Sequence, residues 1–520
     1  MLQQNRRNLV KSALAMTLLG GGVPQGLARP VFTRYPFTLG IAAGDPAQDG
    51  FVIWTRLAPD PQTPGGGMPP ADVAIRWEVS EDPDFRKVAR AGTALAEARL
   101  AHSVHVEVEG LLPRRPYWYR FLVHGAGTSP IGMARTAPGR GMPVDQVRLV
   151  MAGCQNFEMG YYTAFARLAQ EPNVDAVYHY GDYLYEMGIQ KAASPRKHLT
   201  GELYTLDDYR RRYAQYKADP DLQAAHAAAA FILSFDDHEI DDNWAAKFDK
   251  DGSPAEVFAI RKAAALQAWY EHMPVRRALM PGSNGVRMYR RLDYGSLVRV
   301  HVLDTRSYRS DQACERPGLS RAEIERCYPV DRPDRTILGA AQERWLDEGL
   351  SNQARWNFLA QQVMVMPHDS RRDGATSPVA SADNWNGYSY ARQRLVDSIR
   401  RKGLTNVVIG SGDAHQNYVG VVPLEIEDLE GPAIATEFLA TSISSGGTGG
   451  LRLPDEQDGL FHNPHMKLLN NQRGYHLFTI SPDRWQTEIK VIDQVDRPNG
   501  NLSTLAAFLT HPGRPGAEAV

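Results

Sequence analysis

The sequence predicts an α/β protein in which a small β-sandwich precedes a larger, layered α/β domain. Short segments that alternate apolar and polar residues run from about Phe37 to Thr136, as expected for half-buried strands. A Pro/Gly-rich stretch follows at 136–143. From Val147 onward, apolar strands alternate with helical stretches, which is the rhythm of a sheet covered by helices. A chain of 520 residues is also too long for one ordinary core.

The first residues are typical of an export signal. Arg6 and Arg7 form a twin-arginine pattern ahead of the weakly apolar run 12–19, which is shorter than the roughly 20 residues of a spanning helix. Small residues at 26–28 offer a cleavage site. We therefore expect residues 1–28 to be a signal peptide that engages the twin-arginine translocase. The mature protein would be periplasmic or secreted, with no membrane span.

The first predicted domain is all-β. Its strongest alternating segments are 51–55, 74–79, 102–108 and 117–123. The segment Leu111 to Tyr119 resembles the turn and strand of fibronectin type III-like modules. We expect the sandwich to occupy 36–137 and a linker to occupy 138–146.

The second predicted domain spans 147–495. Its expected strands are 147–152, 176–180, 231–235, 298–303, 358–365, 407–410 and 437–441, with a terminal pair at 475–479 and 487–491. Its expected helices are 161–169, 255–272, 340–350 and 388–401. Residues 496–520 are expected to form a C-terminal tail, whose Pro- and Gly-bearing part after Leu509 is expected to be loosely ordered.

Charge and cysteine content limit the function classes. Lys and Arg number 58 against 60 Asp and Glu, a formal net charge of −2, so no overall basic field favours nucleic acid or anionic membranes. In an oxidising compartment Cys314 and Cys327 could form a disulfide, or both could remain thiols. Cys154 would then have no partner.

Polar residues follow four of the predicted strands. They are Cys154 after the strand at 147, Asp182 and Tyr185 after 176, Asp237 and His238 after 231, and Asp413 and His415 after 407. One such residue commonly caps a helix or sits in a core. Because ligands bind beyond the carboxyl ends of strands in open α/β sheets, four such ends together predict a metal site.

The chain resembles the alkaline phosphatase D family of the calcineurin-like metallophosphatase superfamily. The residues that carry this resemblance are 40–46, 52–56, Gly181–Glu186, Asp236–Glu239, Leu303–Arg306, Trp385–Tyr388 and Gly412–His415. The resemblance implies a fibronectin type III-like module ahead of a metallophosphatase domain, export by the twin-arginine route, and phosphoester hydrolysis with Fe³⁺ and Ca²⁺.

The ligand types agree with these ions. A thiolate, a phenolate and a carboxylate suit trivalent iron, so Cys154, Asp182 and Tyr185 are the expected iron ligands. Asp182 also lies within reach of a second ion. Hard oxygen ligands favour calcium over zinc. The expected ligands there are Asp237 and Asp413, with Asn243 and Asp236 as lesser candidates and His415 as a ligand or a neighbour of one.

The expected reaction is in-line attack on phosphorus by a metal-activated water. His238 is placed to meet the leaving-group oxygen. Arg306, Trp385 and Tyr388 are candidate substrate contacts. Asp383, Trp385 and Tyr388 resemble a family segment that approaches the site, although ordinary loop packing explains the aromatic residues nearly as well. Asp304 and Arg306, just past a strand end, are alternatively expected to position the ligands. Ser411 does not lie in a Gly-x-Ser-x-Gly elbow, which argues against a serine hydrolase.

Two alternatives remain at this point. The sequence does not separate a phosphomonoesterase from a phospholipase D-like or teichoic-acid-type phosphodiesterase, because the ligand set would serve both. A non-catalytic exported binding protein is the alternative from another class, and it would need degenerate ligands.

Overall fold

The structure is a computed structural model that describes residues 32–191, 193–283, 285–312, 332–371, 380–451 and 456–520. The predicted signal peptide and the cysteines Cys314 and Cys327 lie outside these residues. In the described ranges, the chain forms 22 strands in three sheets and seven α-helices. No helix within those ranges is both long and apolar enough to cross a bilayer.

The strands of the N-terminal part are β1 (Ile41–Ala47), β2 (Gly50–Arg56), β3 (Val73–Ser80), β4 (Val88–Ala96), β5 (Ser103–Val108), β6 (Pro116–Val123), β7 (Gly127–Thr128) and β8 (Gly132–Arg135). The later strands are β9 (Val147–Ala152), β10 (Ala176–His179), β11 (Ala230–Leu233), β12 (Arg290–Tyr294), β13 (Val298–Val302), β14 (Trp356–Ala360), β15 (Val407–Ser411), β16 (Asn417–Pro423), β17 (Ala433–Leu439), β18 (Met466–Asn470), β19 (Arg473–Ile480), β20 (Trp485–Ile492), β21 (Leu502–His511) and β22 (Arg514–Ala519).

The helices are α1 (Thr163–Leu168), α2 (Leu206–Lys217), α3 (Pro220–Ala228), α4 (Ala255–His272), α5 (Gly339–Gly349), α6 (Ser389–Arg401) and α7 (Glu456–His462). Short 3₁₀ turns occur at Pro64–Gly67, Ala98–Leu100, Arg277–Leu279 and Trp385–Gly387. The helix predicted at 255–272 therefore matches α4 at both ends.

The largest sheet has ten strands in the order β22-β21-β20-β19-β9-β10-β11-β1-β2-β5. Strands β9, β10, β11 and β1 run parallel, so their carboxyl ends lie along one edge. Successive side chains point to opposite faces: Leu149 and Met151 join one core cluster, and Val150 and Ala152 join another.

The second sheet has seven strands in the order β12-β13-β14-β15-β17-β16-β18 and packs face to face on the first. Met151 from the first sheet and Phe358 from the second lie in this shared core. Helices α1 to α4 cover the outer face of the first sheet, and α5 and α6 cover the outer face of the second. The layers are therefore helix, sheet, sheet and helix.

The N-terminal strands lie in two packed sheets. One is a small sheet of their own, and the other is the end of the large ten-stranded sheet. A smaller sheet, β4-β3-β6-β7 with β8 on β6, shares an apolar core with β1, β2 and β5 that includes Ile53 and Phe121. Strand β1 is hydrogen-bonded to β11, with Ala43 opposite Ala230. This pairing satisfies backbone groups that an edge strand would expose, and it carries the N-terminal strands into the large sheet.

The expectation of a C-terminal tail at 496–520 that is loosely ordered after Leu509 is wrong. Strands β21 and β22 occupy most of this segment and continue the large sheet beyond β20. The side chain of Phe508 is buried in the core between the two large sheets. The segment is ordered because it adds apolar burial and covers an otherwise exposed strand edge.

Candidate metal centre and active site

Four strand ends meet at the candidate site. Cys154, Asp182 and Asp237 follow the neighbouring parallel strands β9, β10 and β11. Asp413 follows β15 of the facing sheet. Because parallel strands end at a common edge, this topology brings residues distant in sequence to one place.

Glycines before three of these residues allow the strand ends to approach closely. The ring of Tyr180 lies between Gly153 and Gly412, where a Cβ atom would come within 2.4 and 2.2 Å of it. Gly181 has φ of +126°, and a Cβ there would lie 2.4 Å from the backbone nitrogen of Asp236. No larger residue fits these positions without moving the backbone.

Unusual backbone conformations concentrate at the candidate ligands. Positive φ angles occur at Cys154 (51°), Asp182 (55°), Asn243 (56°), Asp413 (67°) and His415 (55°). A non-glycine residue in this region costs on the order of 1–3 kcal/mol. Such strain is often found where side chains must be aimed at a common point, as they are here.

Three groups of potential ligands overlap at the site. They are Cys154 with Asp182 and His415, Asp182 with Asp237 and His238, and Asp236 with Asp237 and Asp413. Within each group the ligand atoms lie within 4.8 Å of one another. Asp182 links the first two groups and Asp237 links the last two, so the groups form one continuous centre.

Tyr185 belongs to the first group through its hydroxyl. Its Oη donates to Asp182 Oδ2 at 2.8 Å and lies 3.0 Å from His415 Nε2. The Ser445 hydroxyl contacts the same oxygen at 2.6 Å. The phenol is therefore held beside Asp182 by neighbours on two sides.

Several acidic groups are crowded together at the centre, and burial makes most of them harder to ionise. Burial raises the pKa of Asp182 and Asp413 well above the ordinary value, and neighbouring carboxylates raise both further. Burial also raises the pKa of Asp236 to about 6 and that of the Cys154 thiol. At Asp237 the burial effect is overcome by Arg306 and His238, which lower its pKa. A bound cation would compensate the surplus negative charge.

Two buried carboxylate oxygens support a metal directly. Asp182 Oδ1 and Asp236 Oδ2 have no hydrogen-bond partner in the described part of the chain. Buried carboxylate oxygens are normally hydrogen-bonded or bound to a cation. The residues present therefore fit cation binding.

His238 is buried beside the candidate ligands and is held by Glu186. Its Nδ1 lies 2.8 Å from Glu186 Oε2, its Nε2 lies 4.0 Å from Asp242 Oδ1, and its side chain is 10% exposed. Burial lowers its pKa, but the charges of Asp237, Glu186 and Asp182 outweigh that effect and raise it well above the ordinary value. Glu186 therefore orients the ring and favours its charged form, and Nε2 is the nitrogen left to face a substrate.

Asn243 contributes through its backbone. Its N–H donates to Asp237 Oδ2 at 2.8 Å, while the N–H of His238 donates to Asp237 Oδ1 at 2.9 Å. These two bonds fix the Asp237 carboxylate. The Asn243 carbonyl also accepts a hydrogen bond from Gln312.

The three residues predicted to contact substrate are all buried. Arg306 is fully buried, donates to Asp236 and Asp383, and places Nη2 3.5 Å from Asp413 Oδ1. Trp385 and Tyr388 are buried in the core under the second sheet. Tyr388 Oη accepts from Arg309, which also pairs with Asp383. Arg306 therefore holds carboxylates of the centre, whereas the rings of Trp385 and Tyr388 contribute apolar packing.

Sequence reasoning assigned no role to several residues that organise the site. Glu239 accepts the backbone N–H groups of Asp182, Tyr183 and Asp236, and Glu186 holds His238. Glu186 lies in the segment Gly181–Glu186 and Glu239 in the segment Asp236–Glu239. Their positions next to candidate ligands in the sequence could have indicated a role at the site. Ser445 gives no such signal, since its contact with Tyr185 joins residues 260 positions apart.

The chain was compared with known proteins. Residues 149–489 match the family model PhoD-like phosphatase, and residues 24–138 match the model of its N-terminal domain. Alkaline phosphatase D of Bacillus subtilis (strain 168) is 41% identical over 529 residues, covering 99% of this chain and 89% of the relative. A solved structure of PhoD matches with a TM-score of 0.89 and 42% identity, covering 94% of this chain and 93% of the other. The chain therefore belongs to the PhoD-like phosphatases and is a phosphoric ester hydrolase.

Proposed function

We propose that this protein is an exported, metal-dependent phosphoesterase that hydrolyses phosphate monoesters, diesters or both. The observation that carries the metal dependence is the position of Asp182. Its Oδ2 accepts from Tyr185, its buried Oδ1 has no partner in the described chain, and it belongs to two ligand groups. A carboxylate so placed suits a ligand shared between two cations.

The proposed iron ligands are Cys154, Asp182 and Tyr185, with His415 beside them. Burial lowers the pKa of His415 to about 3, which leaves a neutral imidazole able to donate a lone pair. The proposed calcium ligands are Asp182, Asp237, Asp413 and the lesser candidate Asp236. Fe³⁺ and Ca²⁺ are proposed from ligand chemistry and family resemblance together.

When bound, such cations would lower the pKa of a bound water and stabilise negative charge on the phosphoryl oxygens. The chain's own residues orient these parts. Glu239 fixes the backbone at Asp182 and Asp236, and Arg306 holds Asp236 from the side away from solvent. Exposure at the centre is greatest at Asp413 and His415, whose side chains are 27% and 31% exposed. We infer that the substrate enters on that side.

His238 is the proposed general acid. Glu186 keeps Nδ1 occupied, so the proton available to a leaving-group oxygen is the one at Nε2. Protonation of that oxygen avoids release of an alkoxide.

The remaining parts of the proposal concern the whole chain. We propose a signal peptide at 1–28, twin-arginine export to the periplasm or exterior, a fibronectin type III-like module at 36–137, a linker at 138–146 and a metallophosphatase domain beginning at 147. Since β21 and β22 belong to the large sheet, we place the end of that domain at the C-terminal strands.

The test compares a chromogenic phosphate monoester with its diester, using mature protein before and after chelation and quantifying iron and calcium in the same sample. We expect hydrolysis that chelation abolishes and added metal restores. The ratio of the two kcat/KM values decides between monoesterase and diesterase. Hydrolysis that persists after complete metal removal would contradict the proposal.

A further inference from the structure

A groove lined by arginines lies apart from the residues assigned above. It occupies about 450 Å³ between the end of β1, the segment at 138–140, and strand β12. We call it the arginine groove. The arginines that line it are Arg140, Arg276, Arg287, Arg290 and Arg291, and its acidic residues are Asp45 and Asp293.

The groove is positively charged even after its ion pairs are considered. Arg276 pairs with Glu107 at 3.1 Å, and Arg299 pairs with Asp293 at 2.8 Å. Arg299 and Glu107 do not line the groove but pair with residues that do. With these two included, six arginines and three carboxylates lie at or beside the groove, in a chain whose net charge is −2. The surplus is therefore local, and it favours an anion.

Two arginines brace the wall and are not free to bind. Arg290 makes two hydrogen bonds to Asp45 Oδ1, at 2.6 and 3.0 Å. Arg276 donates to the Asp45 carbonyl at 3.0 Å in addition to its pair with Glu107. These bonds keep the groove in shape.

Other arginines have unused donors. Arg287 is exposed and makes neither a hydrogen bond nor an ion pair with any described residue, and its guanidinium lies 4.7 Å from the ring centre of Tyr289. Arg140 is 75% exposed and has one loose contact with Asp293, at 3.5 Å. Burial, followed by the positive charge of Arg299, lowers the pKa of Arg291, so a nearby anion would also relieve repulsion.

The groove lies on the same sheet edge as the metal centre. Asp45 is near the carboxyl end of β1, which pairs with β11. Arg290 Nη2 donates to the carbonyl of Leu233, the last residue of β11, at 2.9 Å. Asp236 is three residues further on, at most about 11 Å away along the chain. A substrate with two phosphate groups could reach from the centre toward the groove.

We propose that the arginine groove is an anion-binding site, separate from the metal centre, that holds a phosphate group. Guanidinium groups match phosphate oxygens with paired N–H donors. Arg287 and, apart from its one contact with Asp293, Arg140 have such donors available. The phosphate is either inorganic phosphate or a non-reacting phosphate of a larger substrate. The second source rests on the proposed function.

The experiment measures binding of inorganic phosphate and pyrophosphate by calorimetry, at low salt, to the mature protein before and after chelation. We compare the wild type with the double variant Arg140→Ala/Arg287→Ala. The matched control is Arg86→Ala, whose arginine is 81% exposed and pairs with Asp84 elsewhere on the surface. We expect a site that persists after chelation in the wild type and the control and weakens at least about tenfold in the double variant.

Kinetics separate the two sources. If the groove holds a substrate phosphate, the double variant raises KM for a substrate with two phosphates and leaves that of a small monoester unchanged. If it holds inorganic phosphate alone, both KM values stay unchanged while binding is lost. Absence of binding in the chelated wild type, or equal binding in the double variant, would overturn the proposal. Both of these outcomes are measured by calorimetry and do not depend on turnover. A failure of the proposed function, which would appear as absent hydrolysis, is therefore distinguished from a failure of this proposal.

Discussion

At the scale of single residues, the site depends on hydrogen bonds that aim the ligand side chains. Asp237 is held by two backbone N–H groups, His238 by Glu186, and Tyr185 by Ser445. The candidate ligands could be picked out from the sequence, because each follows an apolar strand. Their supporting partners could be predicted only where they share a motif with a ligand. Ser445 could not, since its contact with Tyr185 joins distant parts of the chain.

Replacing His238 by Ala should lower turnover by about 10²–10⁴-fold, because the leaving-group oxygen loses its proton donor. Iron and calcium content should remain near the wild-type value. Steady-state kinetics and metal analysis on the same preparation provide the check. Glu186→Gln, which loosens the ring without removing it, should have a smaller effect. Unchanged turnover in His238→Ala would remove this residue from the mechanism.

Replacing Ser445 by Ala should weaken iron retention by about 10–100-fold, the range found when a partner of a metal ligand is removed. The hydroxyl contacts Tyr185 Oη at 2.6 Å and accepts the N–H of Asn156 at 3.0 Å. Competition with a chelator measures retention. Ser444→Ala is the matched control, since that hydroxyl donates to the Asn156 carbonyl and not to Tyr185. Equal losses in both variants would mean that loop packing explains the effect.

At the scale of elements, strand ends and the glycines after them determine the site. The apolar runs predicted β9 with its correct ends and β10 and β11 to within two residues. The run at 358–365 was less informative, because β14 ends at Ala360 and the apolar residues after it form a buried loop. Glu437 accepts the N–H groups of Val365 and Met366 in that loop. A long-range acceptor of this kind leaves no local signal.

Gly181→Ala tests the close approach of the strand ends. The added methyl would meet the Asp236 backbone at 2.4 Å, and φ of +126° is unfavourable for alanine. We expect a loss of unfolding free energy well above about 1 kcal/mol and a fall in kcat/KM on the order of 100-fold from displaced ligands. Gly201→Ala is the control, because no atom lies within 4 Å of its added Cβ. Denaturant titration measures the unfolding free energy, and steady-state kinetics measure kcat/KM. Equal values of both in the two variants would contradict this account.

At the scale of the whole molecule, the N-terminal strands and the catalytic part share one sheet. The sequence predicts two domains joined by a linker at 138–146. In the structure, residues 136–146 form neither a helix nor a strand. The pairing of β1 with β11 was not predictable, because it joins residues about 190 positions apart and has no periodic signature. The tail was misjudged for a similar reason. Its strands acquire their order from the edge they cover rather than from local propensity.

Buried histidines should make the stability of the whole chain sensitive to acid. Burial lowers the pKa of His179, His301 and His476 to about 3, against about 6.5 in an unfolded chain. Between these values the unfolded state binds more protons, so stability is full above about pH 6.5 and falls as the pH decreases. The unfolding free energy can be measured by urea titration at a series of pH values. In His476→Gln, its change with pH should be smaller than in the wild type by up to about 1.4 kcal/mol per pH unit in this window. Above pH 7 the unfolding free energies of the two proteins should change with pH in the same way. The same pH dependence at pH 4 to 6 as well would contradict the lowered pKa of His476.

The most direct test of the central claim is the metal content of Asp182→Asn. Asp182 follows β10 and is shared by two ligand groups, so its loss should remove iron and calcium together. The control is Asp175→Asn, because Asp175 precedes the same strand and its carboxylate accepts the N–H of Arg148. Elemental analysis of both variants, purified beside the wild type, should show both metals depleted in Asp182→Asn alone. If Asp182→Asn retained iron and calcium at the wild-type ratio, the carboxylate would not be the shared ligand and the proposed centre would be wrong.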